Sequence, residues 1–124
     1  MASAALTGEG QVQRRFRLTR SDDMARVRRS GKSYADPLVV LVAQANGRAQ
    51  VRVGVVAGRT VGVAVKRNRA KRLLRAAMET LIASVTPGWD LILIARAPLV
   101  STDMFHAREA LIGLLRRAEL IQPS

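Results

Sequence analysis

Hydrophobic positions recur along the chain at two periods. Leu38 to Ala43 (LVVLVA) is a β-rich apolar run bounded by Pro37 and by Asn46-Gly47, a strong hairpin signal. Gln50 to Ala57 (QVRVGVVA) alternates, with Val51, Val53 and Val55 on one face and Arg52, Gly54 and Val56 on the other. The two runs are expected to pair as antiparallel neighbours. Gly58-Arg59-Thr60 breaks the pattern, and Thr60 to Val65 alternates again, which predicts either a short third strand or a helix beginning near Gly62. Leu91 to Ala95 (LILIA) is apolar throughout, like a strand buried on both faces. Other segments follow the helical period. Ser21 as N-cap, with Asp22 and Asp23 behind it, opens a short helix over about 22–30, with Met24 and Val27 on its apolar stripe and Gly31 as its stop. Val63 to Met78 (VAVKRNRAKRLLRAAM) places Ala70, Leu73, Leu74, Ala77 and Leu81 on one face, and should end near Ser84 before Pro87-Gly88. Met104, Ala107, Leu111, Leu114, Leu115 and Ala118 mark a last helix over about 103–119, with Ser101, Thr102 and Asp103 as candidate caps. Helix, two or three strands, helix, strand, helix is the order of an α+β or α/β sandwich.

The second helix has a polar face of one sign. Six of the ten residues from Lys66 to Arg75 are basic, and Asn68, Lys71, Arg72 and Arg75 lie opposite the apolar stripe. Arg69 sits at the edge of that arc, while Lys66 and Arg67 occupy the first turn. Cations there oppose the helix macrodipole, at about 0.3–1 kcal/mol each at low salt. No acid between Thr60 and Met78 is available at three- or four-residue spacing to relieve the repulsion. An ordinary solvated face mixes both signs. This arrangement suits a polyanionic partner.

Composition sharpens that reading. The 124 residues carry 21 Lys and Arg against 9 Asp and Glu, a net charge of +12 that self-repels in the absence of a counter-charge. Nucleic acid is the leading partner, and an anionic membrane surface is the weaker one because the basic helix has no aromatic anchors. There is no cysteine, which excludes thiol chemistry and Cys–zinc sites and fits a cytoplasmic protein. Residues 1–13 read as a disordered leader and 14–121 as a single domain that binds nucleic acid; Arg14, Arg15, Arg17 and Arg20 form a basic arm around Phe16 and Leu18. His106 stands alone, and the acids are scattered apart from Asp22-Asp23, which capping explains. No catalytic or metal-ligating residue is expected on this chain. Its contribution to any reaction is binding and positioning.

Val53 to Arg75 (VGVVAGRTVGVAVKRNRAKRLLR) closely resembles the signature of the bacterial ribonuclease P protein component, with Arg67-Asn68-Arg69 at the place of that family's RNR motif. The similarity runs from about Arg15 to Leu120, through Phe16-Arg17-Leu18 before the first helix and Trp89-Asp90-LILIAR before the last. The resemblance implies a two-layer α+β sandwich in the order α-β-β-β-α-β-α. Its four-stranded sheet would have a left-handed βαβ crossover, like the second domain of ribosomal protein S5, an exception to the usual hand. It implies an accessory protein subunit of an endoribonuclease, one protein per RNA, that binds a catalytic RNA and the 5′ leader of precursor tRNA. The Mg²⁺-dependent chemistry would reside on the RNA. By the match, Lys66, Arg67, Asn68, Arg69, Lys71, Arg72 and Arg75 would meet the RNA subunit. Arg17, Arg20, Met24, Arg28, Val40, Val42, Arg59 and Thr60 would line the leader cleft. The family commonly has aromatics where this chain has Met24, Arg28 and valines, and paired lysines where it has Arg59-Thr60. The competing reading is a basic structural RNA-binding protein of ribosomal type with no processing role.

Overall fold

The two most apolar runs of the chain lie side by side at the centre of one sheet. This is seen in a computed structural model, which describes residues 17–121; the leader, Arg14 to Phe16 and the last three residues lie outside it. Strand β2 (Val39–Ala45) pairs antiparallel with β4 (Trp89–Ala95), Leu41 opposite Leu93 and Ala43 opposite Leu91. Strand β1 (Lys32–Ala35) flanks β2, and β3 (Arg52–Ala57) flanks β4 in parallel, giving the order β1-β2-β4-β3. The parallel β3–β4 pair is joined through helix α2 (Ala64–Glu79). Helices α2 and α3 (Met104–Arg117) cover one face over a core that includes Val39, Leu41, Leu91, Leu93, Leu74, Met78, Leu111 and Leu115. Helix α1 (Ser21–Ser30) lies on the other face, where its Val27 is buried against Leu18, Val42 and Ile92. An α+β fold with three helices and four strands therefore forms, as expected.

Three local expectations are corrected. First, β2 and β3 are not neighbours, because β4 runs between them. Its apolar side chains on both faces require the central position. Asn46-Gly47 accordingly does not close a two-strand hairpin. The loop straddles the entry to β4: the Asn46 N–H donates to the Gly88 carbonyl at 2.8 Å, and the Gly88 N–H to that of Gln50 at 3.2 Å. Second, Thr60 to Val65 forms no strand. Arg59–Val61 is a 3₁₀ turn, Gly62 has φ +134°, and α2 begins at Ala64. Of the alternating valines only Val61 is buried, whereas Val63 and Val65 are 68% and 75% exposed. Third, the remaining strand is β1, with sequence KSYA and no apolar alternation. Its register comes from the turn, where the Leu38 N–H donates to Asp36 Oδ2 at 2.8 Å and the Asp36 N–H to the Val39 carbonyl at 3.0 Å.

Helix ends shift slightly. Arg20, not Ser21, is the N-cap of α1 and makes no side-chain cap. The second helix stops at Glu79 and is followed by a 3₁₀ turn, Ile82–Ser84. Asp103 caps α3 as its spacing suggests, accepting from the His106 N–H at 2.9 Å. Gly31 ends α1, though not by a left-handed turn. Its φ is −78°, and an added Cβ would stand 2.5 Å from the Val27 carbonyl and 2.8 Å from Val42 Cγ1. The glycine is there for close approach of α1 to β2.

Candidate nucleic-acid interface

Helix α2 buries Ala70, Leu74, Ala77 and Met78, which fixes its rotation about its own axis. The cations then have nowhere to point but outward. Lys66, Asn68, Arg69 and Arg72 are exposed, and Arg67, Lys71 and Arg75 are half-buried. Among the described residues no carboxylate lies within 4 Å of any of these six side-chain cations. The first turn holds no acid. The Lys66 stem lies over Gly62, where a Cβ would meet its Cδ at 2.9 Å. The Arg69 Nε–H donates to the Val100 carbonyl at 3.4 Å, and Arg69, Arg72 and Leu73 line a hollow of about 270 Å³.

A second cationic hollow opens where the chain enters α1. Leu18 N–H donates to the Val53 carbonyl at 2.8 Å, and Arg17 forms a parallel bridge with Val53, so this segment extends the sheet beyond β3. Gly54 permits the crossing, since a Cβ would lie 2.8 Å from the Leu18 carbonyl oxygen. Arg17 and Arg75 converge here on a space of about 170 Å³ walled partly by Met24 and Val55. Burial, and then the charge of Arg17, push the Arg75 guanidinium pKa down. An anion placed between them would screen their mutual repulsion and offset the cost of burial.

On the α1 side the sheet presents three rows: Gln44, Asp90 and Arg52; Val42, Ile92 and Gly54; Val40, Ile94 and Val56. Val42 is 3% exposed and offers a cleft no surface; it is floor beneath α1, contrary to its expected place as a lining residue. Val40, Ile94 and Val56 are half-buried and form an open apolar row. Arg59 and Thr60 are exposed on the turn that follows β3, and Arg20 and Arg28 are exposed at and on α1.

Sequence reasoning misses the group that ties α1 to this sheet. Asp90 is fully buried at the start of β4. Its Oδ1 accepts from Arg52 Nε at 2.9 Å and Asn46 Nδ2 at 2.9 Å, and its Oδ2 from Arg52 Nη2 at 2.8 Å and Arg26 Nη2 at 2.7 Å. Arg26 also donates to Gln44 and pairs with Asp23 at 3.6 Å, while Arg52 reaches Asp23 at 3.4 Å. Desolvation alone would raise the Asp90 pKa, but the hydrogen bonds from Arg52, Asn46 and Arg26 outweigh it and hold the carboxyl below its usual range. The Arg52 pKa moves up, chiefly through its hydrogen bond to Asp90. Arg26 and Arg52 are therefore structural cations, set apart from those of α2. The available signal was a lone acid abutting a wholly apolar strand, which demands donors from elsewhere in the fold.

Another hollow, of about 650 Å³, lies between the Ile82–Ser84 turn and α3 and shares no lining residue with either cationic site. Among the described residues no group of three or more His, Cys, Asp or Glu could hold a metal ion. No described helix is long and apolar enough to cross a membrane.

The ribonuclease P family model matches residues 12–119, nearly the whole chain. This chain belongs to the ribonuclease P protein family. The ribonuclease P protein component of Roseiflexus castenholzii is 36% identical over 112 residues, covering 90% of this chain and 92% of that one. That of Herpetosiphon aurantiacus is 37% identical over 109 residues, covering 88% and 89%. Among solved structures, the RNase P protein from Thermotoga maritima superposes with a TM-score of 0.73 at 30% identity, covering 82% of this chain and 96% of that one. The Staphylococcus aureus RNase P protein gives 0.76 at 25%, covering 86% and 98%. The chain is thus the accessory protein subunit of an endoribonuclease whose family function is maturation of tRNA 5′ ends, and its partner is the ribonuclease P RNA.

Proposed function

We propose that α2 is the surface by which this ribonuclease P protein holds its RNA, with Lys66, Arg67, Asn68, Arg69, Lys71, Arg72 and Arg75 as the contacting residues. One observation carries the reading: six cations on an apolar-backed helix, with no carboxylate beside any of them among the described residues. Arginine suits folded RNA because its planar fork binds phosphate bidentately and stacks on bases, while lysine adds a compact charge. The 5′ leader of precursor tRNA passes over the open row of Val40, Ile94 and Val56. Arg17, Arg20, Met24 and Arg28 flank it on one side, and Arg59 and Thr60 on the other. With no aromatic in that row, phosphate contacts and apolar packing replace stacking there. Mg²⁺ and the hydrolytic step belong to the RNA–protein complex, which works in the cytoplasm with one protein per RNA.

Reconstitution tests this directly. Alone, the protein should cut nothing; added to a bacterial ribonuclease P RNA and precursor tRNA, it should lower the Mg²⁺ needed for cleavage. No stimulation at any Mg²⁺ concentration, with ribosomal RNA recovered in pull-downs, would replace this reading with a ribosomal role.

A further inference from the structure

The start of α3 carries an exposed aromatic that the fold does not use. Phe105 is 65% exposed and its neighbour Met104 37%, while the other described aromatics, Tyr34 and Trp89, pack against the core. Two contacts place this turn beside α2. Arg69 donates to the carbonyl of Val100, just before α3, and the Arg108 Nε–H donates to Thr80 Oγ1 at 2.9 Å, at the C-terminal end of α2. The first turn of α3 lies in the chain between those two contacts, and α3 packs on α2. Phe105 is also braced. The His106 ring meets it edge-on, with centroids 5.3 Å apart and planes at 90°, and His106 Nδ1 lies 2.7 Å from Oδ1 of the capping Asp103. A ring fixed in this way loses little freedom on accepting a partner.

We propose that Phe105, with Met104 beside it, is a stacking platform for one unpaired nucleobase of the RNA subunit. The platform rests on the assignment of α2 as the RNA-binding face and extends that face onto α3. A cationic surface alone recognises phosphates; an aromatic set beside it captures a base splayed out of its helix, the combination that RNA-binding surfaces use. The charge of α2 favours RNA over a second copy of this equally basic chain.

Binding of a bacterial ribonuclease P RNA to the full chain, measured across salt concentrations, provides the test. Phe105→Ala should weaken affinity about 5- to 150-fold, the stacking contribution of one base. The slope of log K against log salt should stay unchanged, because no charge is lost. Phe105→Tyr should restore binding, and melting temperatures should agree among the three because the ring is exposed. Phe105→Ala binding within twofold of wild type would overturn the platform while leaving α2 as the RNA face. So would wild-type self-association that Phe105→Ala abolishes. A wild-type chain that binds no ribonuclease P RNA would overturn both.

Discussion

Asp90 shows how much one residue decides here. Its carboxylate gathers donors from α1, the loop after β2, and β3, so removing the charge leaves Arg52 and Arg26 facing a neutral group. Breaking a buried pair of this kind costs about 3–5 kcal/mol. Arg26 keeps 35% of its side chain in water, which places Asp90→Asn near the lower end. Urea denaturation should show the loss as a lower midpoint at unchanged slope. The same carboxyl sets a pH limit. Its folded-state pKa lies below the unfolded value of about 3.9, so its contribution is complete above that value and fades as pH falls through the folded one. Wild-type stability should therefore drop more steeply than that of Asp90→Asn in acid titrations below about pH 4. Gly31 acts through space instead. An alanine there would press on the Val27 carbonyl and Val42, and Gly31→Ala should lose about 1–3 kcal/mol in the same denaturation assay, the cost of overpacking.

At the scale of elements, α2 divides its circumference between a buried apolar arc and an outward cationic one. Substituting the buried arc would unfold the protein, whereas the cationic arc stands largely outside the core and repels itself. Arg67→Ala with Arg69→Ala should weaken RNA binding by about 150-fold or more, two lost charge-assisted contacts at roughly 1.5–3 kcal/mol each. The melting temperature of the free protein should hold or rise slightly, since Arg69 gives up only a long 3.4 Å hydrogen bond. Equal losses of melting temperature and RNA affinity would assign the pair a structural role. The short strand β1 illustrates the opposite dependence: it has no intrinsic β pattern and exists because β2 offers an edge and Asp36 sets the turn.

At the scale of the whole molecule, a net charge of +12 makes assembly strongly salt-dependent. A face neutralising about six phosphates gives a log K versus log salt slope near −4 to −5, which filter binding from low to moderate salt would measure. Much of this was written in the chain itself. Residues 63–78 alone specify an apolar stripe and an opposing cationic arc, because both depend only on a 100° step between neighbours. The apolar runs at 38–43 and 91–95, the helix at α3 and the family signature are likewise local or nearly so. Tertiary structure decided the rest. Which strand is central depends on where LILIA finds cover on both faces, which no spacing rule encodes. Val42 became floor rather than lining when α1 packed over it. Arg26 and Arg52 look like the cations of α2 along the chain, but both meet the carboxylate of Asp90, 64 and 38 positions away from them. A charge run shows where cations lie, and only the fold brings an acid to Arg26 and Arg52 and none, among the described residues, to the cations of α2, because pairing acts through distance in space and not along the sequence.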